Sequence, residues 1–140
     1  MRKKCVVLLL ALVCLFSAVG VRGYAAETRA SAQIRNYAAG ISWSSDGRLG
    51  ISFSIRGTTI MDALGASSIV VQRLSGSSWV SEYTFNIRDY PGMQTQNESS
   101  HAATVAYSPR YSGAKYRAMV FFYARNSAGT DTAIKTTNAV

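Results

Sequence analysis

The chain has 140 residues, 48% of them hydrophobic and 16% charged, with 15 basic against 7 acidic residues and a formal net charge of +8. That length describes one domain. Beyond Arg2, Lys3 and Lys4 at the start, the basic residues are spread without a Lys/Arg cluster, which excludes a nucleic-acid footprint, and a single histidine with two cysteines leaves little room for His/Cys chemistry.

The first residues, "MRKK", form a basic n-region, and the uncharged run from Cys5 to Val21 is closed by Arg22. This is the layout of a secretory signal peptide. The run also approaches the ~18–20 residues of a membrane span, so an uncleaved anchor is the rival reading. The small-residue tract "GYAAETRASAQ" favours cleavage, placed here at residues 1–26, with 23–32 as the outer limits and Ala30-Ser31-Ala32 as the best A-x-A match. Val13 before Cys14 argues against a lipoprotein. Cleavage removes both cysteines together with Arg2, Lys3, Lys4 and Arg22, so 11 basic residues remain against 7 acidic ones and the charge falls to +4. The expected product is secreted, extracellular, free of disulfides and without a membrane tether. Its roughly 110 residues are held by a hydrophobic core alone.

Residues 33–140 read as a single all-β domain. "AGISW" (Ala39–Trp43) opens it, and after the turn "SSDG" the run "RLGISFSIRG" alternates Leu49, Ile51, Phe53 and Ile55 against polar or small residues. "TTIMDALGA" (Thr58–Ala66) suggests one helical turn linking strands, with Gly65 at its end. "SIVVQRL" and "WVSEYTFNI" flank "SGSS" as a hairpin, placing Trp79, Ser81, Tyr83, Phe85 and Ile87 on one side. Arg88–Ser100 reads as a loop around Pro-Gly. "HAATVAYS", "YRAMVFFYARN" and "DTAIKTTN" complete about seven strands, the pattern of an antiparallel sandwich. The expected core draws on Trp43, Ile51, Phe53, Ile55, Ile69, Val71, Val105, Tyr116, Val120 and Phe122.

From Tyr116 onward the chain resembles the penultimate strand of immunoglobulin-like and fibronectin type III sandwiches. A Tyr opens a strand of small apolar residues, and "ARNSAG" (Ala124–Gly129) turns into a last strand "TDTAIKTT". The spacing from Tyr116 to Asn126 is two residues longer than in that pattern, and the Leu upstream of the Tyr is absent. The resemblance covers roughly the last quarter of the chain and implies an immunoglobulin-like sandwich with a tyrosine corner at Tyr116. Taken whole, the chain also resembles small secreted bacterial proteins of uncharacterised families, a likeness that implies no catalytic or binding residue.

No catalytic set is coherent. His101 beside "NESS" reads as a solvated loop residue, and no G-x-S-x-G elbow occurs. The carboxylates Asp46, Asp62, Glu82, Asp89, Glu98 and Asp131 fall mostly in turns, without the D-x-D clustering that calcium needs. No cofactor or metal is expected, and Asn97-Glu98-Ser99 is a weak glycosylation sequon. What stands out is the second face of the penultimate strand, Arg117, Met119, Phe121, Tyr123 and Arg125, to which Lys135 or its facing threonines would add. If the row is not covered by the Arg88–Ser100 loop or by the N-terminal segment, it is a candidate binding face. The expected function is a non-catalytic module that binds a cell-surface or cell-wall glycan or protein. A homo-oligomeric structural subunit of the cell envelope is the alternative, and a small carboxylate-dependent wall hydrolase is a more remote one.

Overall fold

The computed structural model describes residues 32–140. The segment read as a signal peptide and both cysteines lie outside the described residues. Eight strands follow in chain order: β1 Ile34–Trp43, β2 Leu49–Met61, β3 Ala63–Ser75, β4 Ser78–Asn86, β5 Gln94–Thr95, β6 Glu98–Tyr107, β7 Tyr116–Asn126 and β8 Gly129–Thr136. They form two antiparallel sheets, one ordered β1-β2-β6 and the other β4-β3-β7-β8, with β5 added beside the start of β3. The chain is a β-sandwich.

Alternation explains the inner faces. In β2 Leu49, Ile51, Phe53 and Ile55 are buried, and in β7 Tyr116, Ala118, Val120, Phe122 and Ala124 are buried completely. Period-two patterning aims each set at the other sheet. Phe122 sits at the centre, its ring 5.0 Å from Tyr37 and 6.1 Å edge-on from Phe53. The Tyr116 hydroxyl donates to the Tyr111 carbonyl oxygen at 3.1 Å, five residues upstream, and so ties the preceding loop to β7.

Several expectations need correction. Trp43 is not core: it ends an edge strand, meets Tyr116 edge-on at 6.0 Å and stays 44% exposed. Thr58–Ala66 makes no helical turn, because β2 runs to Met61 and β3 starts at Ala63. Gly65, at φ +154, is needed instead for close approach: a Cβ there would stand 2.2 Å from the Met93 carbonyl oxygen. The Arg88–Ser100 segment is not all loop, since it holds the 3-10 turn Pro91–Met93, β5 and the first residues of β6. Its Met93 side chain is buried in the core. His101 is a strand residue, partly buried, with Nε2 donating to the Gly92 carbonyl at 2.8 Å and its ring 6.0 Å from Phe53.

Candidate functional site

The outer face of the larger sheet is assembled by register. β7 lies between β3 and β8, so Met119 pairs with Val70 and Thr136, Phe121 with Ser68 and Ile134, and Tyr123 with Gly65 and Thr132. Directly opposed residues in a ladder share a face. Arg117, Met119, Phe121 and Tyr123 are half-buried by these neighbours, Arg125 is exposed, and Ile134 is 54% exposed. The elements packed on β7 are β3 and β8 beside it and β2 and β1 across the core. The Arg88–Ser100 segment instead pairs with β3 at Leu64 and Gly65 and closes one end of the sandwich.

One end of the row is fixed by charge and stacking. The Arg117 guanidinium lies 4.3 Å over the Trp79 ring, and its Nε donates to Gln72 Oε1 at 2.8 Å. This bridge spans β7, β3 and β4 and holds a cation flat against an aromatic ring. Sequence alternation missed Trp79 as part of this face. A bulge in β4 sets Ser81 opposite Gln72 and Tyr83 opposite Val71, leaving Glu82 as the extra residue. Trp79 and Ser81 therefore face outward while Tyr83 and Phe85 face the core side, and the single row expected from Trp79 to Ile87 is split. A second bulge at Ser67 in β3 keeps both Ala66 and Ile69 inward, and its Oγ donates to the Phe121 carbonyl at 3.2 Å. From β8 the face receives Ile134, Thr132 and Thr136; Lys135 pairs with Val120, on the opposite side of the strand.

The carboxylates are dispersed. Asp46 accepts from Ser44 Oγ and from Arg48 Nε at 2.7 Å, which lowers its pKa to about 2, chiefly through the serine bond. Glu82 is held at 2.5 Å by Arg73 Nε, which raises the guanidinium's pKa. Asp131 accepts the Gln33 backbone N–H at 2.6 Å, joining the start of β1 to β8. Among the described residues no three His, Cys, Asp or Glu converge.

A different aromatic group fills the side of the sandwich. The smaller sheet packs over β3, β7 and β8, so β4 projects beyond it. There Tyr83 stacks on Tyr107 of β6 at 5.7 Å, Phe85 meets Tyr83 and Tyr90 edge-on at 4.8 Å each, and the Tyr83 and Tyr90 hydroxyls are 3.1 Å apart. Burial raises the Tyr107 pKa, and the hydrogen bond with Tyr83 raises that of Tyr90.

No family model, curated protein or solved structure compared with the chain matches it.

Proposed function

We propose that the protein is an exported, non-catalytic binding module that uses the outer face of its larger sheet to grip a protein at a cell surface. The observation that carries this reading is the row Val70, Met119, Phe121 and Ile134, flanked by the Arg117–Trp79 stack, on a sheet face with no described strand packed over it. Flat aliphatic and aromatic surface with arginine at its border is the composition of protein contact surfaces, where Trp, Tyr, Met and Arg are enriched. The four residues of the row carry no hydrogen-bonding side chain, although Ser68, Thr132 and Thr136 stand beside them, and this continuous apolar contact is what favours a protein partner.

The strand order supports kinship with immunoglobulin-type sandwiches: β2 lies between β1 and β6, and β7 between β3 and β8, as B lies between A and E and F between C and G. The leading apolar run supports export. Self-association is the second reading, favoured by the position of Ile134 on an edge strand, where the face of one copy could continue into another.

Co-sedimentation with cell envelopes tests the proposal. The protein should pellet with intact envelopes, be released when the envelopes are first shaved with protease, and fail to pellet when Met119 and Phe121 are both changed to Ser. Equal pelleting of the folded double variant would overturn it. Light scattering over a concentration series separates the second reading, which requires an oligomer that dissociates on dilution.

A further inference from the structure

We infer a second ligand site, independent of that face, in the tyrosine-lined cleft between β4 and β6, suited to a carboxylate-bearing saccharide. The cleft encloses about 320 Å³ and is lined by Tyr83, Tyr90, Tyr107, Ser108 and Arg110 among others. That volume lies at the lower end of small-ligand pockets and fits one or two sugar rings.

It exists because the two sheets differ in width. β4 projects past the strands that would cover its inward Tyr83, so Tyr83 is 41% exposed although it points to the core side, whereas its neighbour on that face, Phe85, is buried. In a ladder closed by a further strand Tyr83 would be sealed. Here Tyr83 and Tyr90 form a wall open to solvent, backed by the buried rings of Phe85 and Tyr107, and the wall is preorganised: each ring touches another, and the Tyr83 and Tyr90 hydroxyls are bonded to each other. Rings fixed before binding lose little conformational freedom when a ligand stacks on them. The apolar face of a pyranose packs against such rings, while phenolic hydroxyls exchange hydrogen bonds with sugar hydroxyls.

Charge selects among saccharides. The one carboxylate of the cleft, Glu82, is already engaged by Arg73. Arg110 makes no ion pair among the described residues, so the cleft carries an uncompensated positive charge beside Tyr107. The loop bearing Arg110 is tethered on both sides of Tyr111, whose carbonyl accepts from Tyr116 and whose ring lies 4.0 Å from the Arg73 guanidinium. A guanidinium so placed is a planar donor for a carboxylate. A neutral sugar leaves it unused, and a uronic acid satisfies it.

The test is titration of the purified protein with digalacturonate, with its neutral galactose counterpart as control, followed by amide NMR shifts and calorimetry. Digalacturonate should shift the amides of Tyr83, Tyr90 and Ser108–Arg110, and bind more weakly as salt is raised. Arg110→Gln, on an exposed loop, should keep the melting temperature and weaken digalacturonate at least about tenfold, the loss of one charge-assisted hydrogen bond, with the neutral sugar little changed. Tyr83→Ala should weaken both sugars. No binding, shifts confined to the outer face of the larger sheet, or equal affinity of Arg110→Gln for digalacturonate would each overturn the assignment. None of these results bears on the envelope experiment with Met119 and Phe121.

Discussion

Phe121 and Phe122 are neighbours in sequence with opposite surroundings, and replacing each by Ser separates a working surface from a structural one. Phe122 is completely buried between the sheets, against Tyr37 and Phe53. Its loss opens a cavity and buries a hydroxyl, which costs on the order of 3–5 kcal/mol. Phe121 is half-buried between Ser68 and Ile134. Full burial of such a ring is worth ~1.5–3 kcal/mol, so about half of that, near ~1 kcal/mol, is at stake. For a domain of this size each kcal/mol moves the melting temperature by roughly 4–8 °C. Phe121→Ser should therefore melt about 5 °C below the wild type, and Phe122→Ser about 15 °C or more below it, if it folds at all. Thermal unfolding followed by circular dichroism reads both. Equal losses for the two variants would refute the reasoning, because Phe121 would then be core.

Gly65→Ala should cost about 3 kcal/mol or more in urea denaturation, since its Cβ would meet the Met93 carbonyl and the Gln94 backbone at a φ that suits glycine. Gly40→Ala, with nothing within 4 Å of the added Cβ, should stay within ~0.5 kcal/mol. The Asp46 carboxyl has a folded pKa of about 2 against an ordinary 3.8. The stabilisation it gives the β1–β2 turn is thus present above about pH 4 and lost as the pH falls towards 2. Asp46→Asn should flatten that part of the stability–pH curve, and an unchanged slope would contradict the assignment.

Much of the fold is legible in the sequence because burial here follows period two. Leu49 to Ile55 and Tyr116 to Ala124 alternate without interruption, and both inner faces follow from that alone. Bulges are where the reading fails. One extra residue at Glu82 moves Trp79 to the outer face and Tyr83 to the inner one, and nothing in "WVSEYTF" marks which residue is extra. The outer row of β7 was legible as a row, but its partners Val70, Trp79 and Ile134 required the register of three other strands. Trp43 shows a different limit: its phase is right, yet it stands at the end of an edge strand, where no neighbour completes its burial. The tyrosine cleft was not legible at all. Tyr83, Tyr90 and Tyr107 come from three segments, and they meet because one sheet is wider than the other, a property of the assembled layers.

Methionine oxidation tests the central claim, that the outer face of the larger sheet is open in the free protein and covered on binding. The described residues contain their own controls: Met119 is half-buried on that face, whereas Met61 and Met93 are 0% and 1% exposed in the core. Brief peroxide treatment of dilute protein, read by mass spectrometry, should oxidise Met119 well before Met61 and Met93, and envelope-bound protein should lose that preference. Met119 reacting as slowly as the two core methionines in the free monomer, or as quickly on the envelope as off it, would contradict the account.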